Sequence, residues 1–322
     1  MPKRRTGRKM LVTGAAGFVG SHLCRALSDA GHAVIAADLP RAGWWRHEEL
    51  AIPATRVHCD LADVRAVAAL ARRGPFDTVF HLASTVDVRR DKALVGRMLE
   101  TDLRATAHVL TTLAPKARRV VLAGTCEEYG DGPAPFRETQ REVAVSPYAW
   151  SKISATHLGQ LFAKAFDAPV VVVRPFLTYG PLQTSTMLVP AAIRAALAGA
   201  RLKMTRGDQT REFNYVTDIV AGLIAVAGAP GVVGHVINLG SGRPTRVATL
   251  ARLVYKLCNS AAAPKLGALP YRIGETMRFF SDTRRARKLV RWTPRTTLVD
   301  GLRLTIAWVR GHHTHTSTST RA

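Results

Sequence analysis

A glycine-rich segment near the start of the chain limits the folds that this sequence can adopt. The apolar run KMLVTG (9–14) is typical of a buried strand, and a helical pattern follows over residues 19–30. Between them, TGAAGFVG places Gly14, Gly17 and Gly20 at the turn. Glycine permits a tight turn and lets the backbone approach a pyrophosphate, while the helix N-terminus offers N–H groups. The segment predicts a strand–turn–helix unit that binds a dinucleotide.

Short apolar strands alternate with helices up to about residue 175. Strands connected in this way pair in parallel and are covered by helices on both faces, so we predict an α/β fold with a doubly wound parallel sheet. Beyond residue 175 the helices shorten and the strand pattern HVINLG (235–240) stands isolated. The predicted strands are 9–14, 33–38, 56–60, 77–84, 118–125 and 169–175, and the predicted helices are 19–30, 63–72, 93–113 and 147–165.

This change in the pattern of strands and helices divides the chain into three predicted regions. Residues 8–175 form a dinucleotide-binding domain, and residues 176–310 form a smaller substrate-binding lobe that is interwoven with it. The polar, low-complexity segment 311–322 is predicted to be disordered. Its histidines lack a second cluster of ligands, so no metal site is expected.

The chain has a formal net charge of +23. Its basic residues are spread along the sequence without a DNA-reading motif, so we expect an arginine-rich surface that favours anionic ligands and no nucleic-acid partner. No apolar run approaches the roughly 20 residues of a membrane span, and the basic N-terminus lacks a signal-peptide core. Four cysteines without paired spacing fit a reducing compartment. These features predict a cytoplasmic protein that does not bind membranes.

Acidic residues after the second and third strands bear on the choice of dinucleotide. Asp38 can accept hydrogen bonds from both ribose hydroxyls and would repel a 2′-phosphate, which favours NAD, although nearby Arg41 leaves room for NADP. Asp60 can meet an adenine amino group or serve as a loop acid. The residues predicted to contact NAD are Gly14, Gly17, Phe18, Val19, Gly20, Asp38, Asp60, Leu61, Leu82, Ala83, Tyr148 and Lys152.

Three further residues predict acid–base chemistry at the other end of the site. Tyr148 and Lys152 lie four residues apart in SPYAWSK, which puts them on one face of a helix. A nearby ammonium stabilises tyrosinate and lowers the tyrosine pKa, which gives a base for a sugar hydroxyl. Thr125, at the end of the fifth strand, can hydrogen-bond the reacting oxygen.

Together these motifs resemble those of the extended short-chain dehydrogenase/reductases that act on nucleotide sugars. The resemblance spans residues 9–310 and rests on TGAAGFVG, CDLAD, HLAS, TCEEYG, Y-x-x-x-K, RPFLTYGP, TREFNYVTD and YRIGE…RWTP, in that order. It implies a Rossmann sheet, bound NAD and a catalytic triad of Thr125, Tyr148 and Lys152. It also implies a homodimer that pairs through two helices of each subunit, 93–113 and 147–165.

The resemblance further implies a nucleoside diphosphate sugar as substrate. Arg211 and Arg272 match diphosphate-binding arginines, and guanidinium groups suit that ligand. Thr125 and Cys126 are predicted to line the substrate pocket. Two positions depart from the family pattern: Leu177 replaces an asparagine that contacts substrate, and Asp102 stands where a structural asparagine is common.

The triplet that begins at Thr125 bears on the reaction. The related 4,6-dehydratases carry Thr-Asp-Glu, whereas this chain has Thr-Cys-Glu, and a thiol is a poorer acid for hydroxide departure. An enzyme that removes a hydride from carbon 4 and returns it needs NAD. Such a reaction does not need an acid at position 126. Carbon-4 epimerisation is therefore the main prediction. The alternatives are a 4,6- or 5,6-dehydratase with Glu127 as a catalytic residue, then a 4-ketoreductase, and last a non-enzymatic dinucleotide-binding protein.

Overall fold

The computed structural model describes residues 7–272 and 274–312 of the chain. Strands of four to six residues form the main sheet, and short two-residue strands are added between and after them in the second half of the chain. The strands are β1 (Lys9–Thr13), β2 (Ala33–Asp38), β3 (Thr55–His58), β4 (Thr78–His81), β5 (Val120–Ala123), β6 (Val170–Pro175), β7 (Thr178–Tyr179), β8 (Thr210–Arg211), β9 (Asn214–Tyr215), β10 (Val236–Leu239), β11 (Thr245–Arg246) and β12 (Arg278–Phe279).

The large sheet contains seven parallel strands in the order β10-β6-β5-β4-β1-β2-β3. Its central strands are short runs of valine and other apolar residues, and β4 and β5 are buried along their whole length. Strands of this kind suit a sheet that is covered on both faces. The predicted doubly wound parallel sheet is confirmed. The strand order reverses between β1 and β4, and such a reversal opens a crevice beyond the carboxyl ends of the two strands.

Helices pack on both faces of this sheet. One core contains Leu23 and Leu27 together with Ile219 and Leu223, and the opposite core contains Val67 with residues of the helical segment 94–113. The α-helices are α1 (Phe18–Asp29), α2 (Trp45–Glu49), α3 (Val64–Ala71), α4 (Leu94–Met98), α5 (Ala105–His108), α6 (Pro147–Ala165), α7 (Leu188–Leu197), α8 (Val216–Gly228), α9 (Val247–Leu257) and α10 (Leu298–His312).

The predicted helix 93–113 is present, but it is not a uniform α-helix. Two π-helical segments, Leu99–Arg104 and Val109–Leu113, flank α5. A π-helical turn inserts one extra residue into the helical repeat and often occurs at functional sites. The apolar periodicity of the sequence predicts the helix, but it does not distinguish α from π hydrogen bonding.

The chain returns to the large sheet after it has begun the second lobe. β10 pairs in parallel with β6, and α8 packs on the core beneath it. The pattern HVINLG is therefore not isolated, because its strand is buried against the main sheet and forms its edge. The domain limits of 8–175 and 176–310 stay a prediction.

The second lobe has its own small core. Apolar residues of α7, α9 and α10, among them Ile193, Leu250 and Leu302, pack together with Tyr179 and Tyr215. Beside this core, β8 pairs with β11 and β12 in a three-stranded sheet. This sheet carries Arg211 at the end of β8, which positions a guanidinium beside the carboxyl ends of the main strands.

The end of the chain corrects one prediction in part. The segment 311–322 is predicted to be disordered, but α10 continues to His312, whose ring bonds the Trp308 carbonyl oxygen and pairs with Glu49. Residues 313–322 lie outside the described residues. Within residues 7–272 and 274–312, no helix has both the length and the apolar character needed to cross a membrane.

Candidate active site

The glycine-rich turn lies where β1 and β4 meet. Gly14 has φ +70°, and a Cβ there would lie 2.6 Å from the backbone nitrogen of Ala83. A Cβ on Gly20 would lie 2.1 Å from the Gly14 carbonyl oxygen. Both positions therefore require glycine, and Gly17 caps α1 with its N–H donating to the Gly14 oxygen at 3.1 Å.

Asp38 is fixed against this turn. One of its carboxylate oxygens accepts from Ala16 N–H at 2.8 Å, and the other accepts from Leu39 N–H at 2.8 Å. Phe18 and Val19 form the first turn of α1, whose N–H groups have no partner within the helix. The glycines let the diphosphate of NAD approach the backbone at the N-terminus of α1. The fixed Asp38 carboxylate fits the ribose hydroxyls of NAD.

The other residues predicted to contact NAD lie around the same crevice. Leu82 and Ala83 follow β4 and are half-buried. Leu61 is buried after β3, whereas Asp60 is exposed and accepts from Ala62 N–H at 2.9 Å. This contact is that of a loop acid, and a direct contact of Asp60 with the adenine stays a prediction.

The proposed catalytic residues converge beyond β5. Thr125 caps the short turn Cys126–Tyr129, and its side chain acts on Tyr148 by favouring the ionised phenol, which works against the raised pKa. Tyr148 stands in the first turn of α6, where Ser146 and Pro147 start the helix. Tyr148 and Lys152 are both buried.

Burial has the largest effect on the electrostatics of this pair. Burial raises the pKa of Tyr148, and hydrogen bonding to Thr125 opposes that effect only partly. Lys152 donates from Nζ to the Ala123 carbonyl oxygen at 2.8 Å, and burial lowers the pKa of its ammonium. Desolvation therefore dominates the pKa of Tyr148, and the lowering of that pKa by Lys152 stays a prediction.

Glu127 and two arginines lie together next to the triad. Burial raises the pKa of Glu127, while Arg211 and Arg272 act in the opposite direction. Arg211 also pairs with Glu275, and its guanidinium lies 5.5 Å from the centre of the Phe279 ring. Arg272 is exposed. Both guanidinium groups thus favour the charged form of Glu127; Arg272 is open to solvent, whereas Arg211 is largely buried and paired with Glu275.

Cys126 is not built as a reactive thiol. It is buried among aromatic rings of Tyr129, Phe136, Phe176 and Phe279. Burial first, and then Glu127, raises the pKa of the thiol well above its usual value, so that it stays protonated near neutral pH.

Leu177, which replaces the family asparagine, is half-buried in the strand connection after β6. Its carbonyl oxygen accepts from the backbone N–H of Asn214 at 2.9 Å and from its side-chain amide at 3.2 Å. These bonds join the end of β6 to β9. The backbone of Leu177 therefore has a structural role, although its side chain is apolar.

A buried ion-pair cluster supports the site and was not found from the sequence. Arg174 donates from Nε to Glu128 at 2.8 Å and from Nη2 to Glu142 at 2.6 Å. Glu128 also accepts from Thr125 N–H at 2.8 Å, which ties the cluster to the catalytic turn. Arg174 lies in RPFLTYGP and Glu128 in TCEEYG, so the motifs contained both residues, but nothing in their spacing indicates that they meet.

Comparison with known proteins agrees with this geometry. The sequence profile of the NAD dependent epimerase/dehydratase family matches residues 10–240. A UDP-N-acetyl-alpha-D-glucosaminuronate decarboxylase of Bacillus cytotoxicus is 30% identical over 317 residues, covering 94% of this chain and 98% of the relative. A UDP-glucuronate 4-epimerase of Thermodesulfobacterium geofontis is 27% identical over 310 residues, covering 92% and 95%.

A solved structure is similar over nearly the whole chain. It is the UDP-glucuronic acid 4-epimerase of Bacillus cereus in complex with UDP-glucuronic acid and NAD. The TM-score is 0.84 at 26% identity, and the match covers 95% of this chain and all of that one.

Proposed function

We propose, since this chain belongs to the NAD dependent epimerase/dehydratase family, that it interconverts the carbon-4 epimers of a nucleoside diphosphate sugar. NAD is the cofactor of the family. When bound, NAD supplies a positively charged nicotinamide ring that takes up and returns a hydride. The glycine turn with Gly14, Gly17 and Gly20 and the acid Asp38 would hold it at the β1–β4 crevice.

Tyr148 is the proposed base. Its phenolate takes the proton of the carbon-4 hydroxyl, and Thr125 donates a hydrogen bond that orients the same oxygen. The Lys152 ammonium supplies positive charge beside the phenolate. After the keto sugar has turned over in the pocket, the opposite face of carbon 4 is presented for reduction, and Tyr148 returns the proton to the carbon-4 oxygen, so one residue serves both directions.

Arg211 and Arg272 are proposed to bind the diphosphate. Their charge beside Glu127 supports this assignment: Arg272 is exposed, and the pair with Glu275 occupies only part of the Arg211 guanidinium, so donors are left for a phosphate. The named relatives act on UDP sugars, and we propose a UDP sugar for this chain as well. The diphosphate would then draw Arg211 away from Glu275 in part.

The placement of Thr125, Tyr148 and Lys152 at the carboxyl edge of the sheet, the edge that also holds the glycine turn, carries the proposal. The test is to incubate the protein and NAD with UDP-, GDP-, CDP- and dTDP-sugars and to analyse products by chromatography and mass spectrometry. A new isomer of unchanged mass is expected. The absence of any product from the whole panel would favour a dinucleotide-binding role without catalysis.

Dehydration is the second candidate, and one observation favours it. Glu127 is a largely buried carboxylate beside the triad, and its pKa is raised. A raised pKa is typical of a carboxylate that transfers protons to or from a substrate. The same panel distinguishes the two reactions, because a dehydratase product is lighter than its substrate by one water. Cys126 is a weaker acid than the aspartic acid of a 4,6-dehydratase, because burial raises the pKa of its thiol further.

Asp38 is expected to control cofactor affinity. Asp38→Ala should weaken NAD binding by about 10- to 100-fold, because hydrogen bonds to a charged acceptor contribute about 1.5–3 kcal/mol. It should also reduce the preference over NADP, since the charge that repels a 2′-phosphate is gone. Isothermal titration calorimetry with both dinucleotides checks this. Asp29→Ala, an acid on the exposed side of α1, is the matched control and should leave both affinities unchanged.

We also propose a homodimer and a reducing compartment such as the cytoplasm. All four cysteines are free and buried, which suits a reducing compartment. α4 and the π-helical segment after it pack beside α6, and together they present Val95, Leu99 and Leu161 to solvent, each more than 40% exposed. Exposed apolar side chains on two packed helices favour a helical interface with a second copy.

Leu161→Glu is expected to convert this dimer into monomers, because it places a charge in an apolar interface. Light scattering coupled to size-exclusion chromatography measures the mass. Leu304→Glu is the matched control, since Leu304 on α10 is equally exposed, at 53% against 49%, but lies away from α4 and α6. A wild-type protein that is monomeric, or a Leu161→Glu variant that stays dimeric, would contradict the assignment.

A further inference from the structure

Asp102 is a buried carboxylate next to the proposed catalytic pair. It is 2% exposed and lies in the π-helical segment Leu99–Arg104. One of its oxygens accepts from Thr85 N–H at 3.1 Å, and the other accepts from the Ser151 hydroxyl at 3.0 Å. The carboxylate therefore joins the loop after β4 to α6, at the carboxyl edge of the sheet where the site lies.

Ser151 links Asp102 to α6, the helix that contains Tyr148 and Lys152. It lies between Tyr148 and Lys152, and its hydroxyl is also 2.9 Å from the Tyr148 carbonyl oxygen. An asparagine at position 102 could keep both contacts: its oxygen would accept from Thr85, and its amide would donate to Ser151. Hydrogen bonding alone thus does not require a charge here, and burying an isolated carboxylate is costly.

The negative charge acts on both members of the pair. Burial lowers the pKa of Lys152, and Asp102 opposes this effect, which favours the ammonium. Asp102 also adds to the raised pKa of Tyr148, after the larger effect of burial. A buried carboxylate thus offers Lys152 a counter-charge inside the protein.

Other titratable groups face the pair from β4 and from the turn after β5. His81 is uncharged near neutral pH, because burial lowers its pKa to about 3, and Cys126 stays a thiol. Glu128 also favours the Lys152 ammonium, but its own charge is paired with Arg174. The groups that face Tyr148 or Lys152 from these elements are His81, Cys126, Glu127 and Glu128.

We propose that Asp102 is a positioning residue: it fixes the turn of α6 that carries Tyr148 and Lys152 through its bond from Ser151, and its carboxylate is the internal counter-charge of the Lys152 ammonium. This inference rests on the proposed function of Tyr148 and Lys152. It assigns to the carboxylate a role that the asparagine common at this position would not perform. Thr85 and Ser151 fix the carboxylate, and the charge acts through Lys152 and Tyr148.

Asp102→Asn tests the charge without removing the contacts. The variant should lower the pKa of both Tyr148 and Lys152, so both limbs of the pH profile of kcat/KM should move to lower pH. The midpoint of Tyr148 ionisation, followed by tyrosinate absorbance in the NAD-loaded protein and corrected with a Tyr148→Phe counterpart, should move in the same direction. This second readout does not need turnover, so it decides the inference even if no nucleotide sugar reacts.

Glu100→Gln is the matched control. It removes one negative charge from the same π-helical segment, but from a partly exposed side chain that pairs with Arg104, and it should shift neither readout. If Asp102→Asn folds, binds NAD and leaves both the profile and the tyrosinate midpoint where the wild type has them, the inference is overturned. A fall in kcat without any shift in pH would also overturn it, since that result indicates structural support alone.

Discussion

Tyr148→Phe is expected to lower kcat by about 10³-fold or more, because general acid–base catalysis typically contributes 10²- to 10⁴-fold and this residue serves in both directions. The substitution removes only the phenol oxygen. The ring stays packed against Leu94 and Met98, so the fold should be unchanged. Steady-state kinetics with the substrate found in the panel measure the loss, and NAD affinity should stay within about twofold of the wild type.

Tyr255→Phe is the control for this experiment. It also removes one buried phenol oxygen, but from α9 in the second lobe, where the hydroxyl donates to the Ala200 carbonyl oxygen. Its kcat should match that of the wild type. If Tyr148→Phe and Tyr255→Phe were equally active, Tyr148 would not be the base, and the assignment of the catalytic triad would fail.

Arg174→Met is expected to lower the free energy of unfolding by about 3–5 kcal/mol, the usual effect of removing one partner of a buried ion pair. Arg174 and Glu128 are both fully buried, so the substitution leaves the Glu128 carboxylate without its cation in the protein interior. Methionine fills a similar volume without a charge. Urea unfolding of the protein without NAD, at one fixed protein concentration, measures the effect.

Two further variants separate the charge from the loss of packing. Arg25→Met breaks an exposed pair with Asp29 and should cost less than about 1 kcal/mol. Adding Glu128→Gln to Arg174→Met removes the unpaired charge and should restore part of the stability. The cluster would be unimportant for folding if Arg174→Met cost no more than Arg25→Met.

The sequence predicts the parts of this molecule that local patterns determine. β2 and α6 have the predicted limits, because β2 is a continuous apolar run that ends in Asp38 and α6 begins at the capping Ser146 and Pro147. The glycine turn is predictable because three glycines between a strand and a helix leave few other conformations. The site residues Thr125, Tyr148 and Lys152 are predictable by resemblance and come together in space.

Long-range packing accounts for what the sequence does not reveal. Arg174 meets Glu128 and Glu142 across 46 and 32 residues, and no spacing rule connects such positions. The raised pKa of Tyr148 depends on how deeply α6 is buried, which helical periodicity does not specify. β10 joins the main sheet because α8 carries the chain back across it, and a four-residue strand pattern does not indicate its partner strand.

One measurement tests the central claim most directly: reacting one nucleotide sugar with the NAD-loaded protein in D2O and locating hydrogen and deuterium in the product by mass spectrometry and proton NMR. Carbon-4 epimerisation with Tyr148 as the base exchanges only the hydroxyl proton with solvent. The account therefore predicts a carbon-4 epimer of unchanged composition that keeps its original hydrogen on carbon 4. A product that has lost water, or that carries deuterium on a ring carbon, would contradict the account and would give Glu127 the catalytic role.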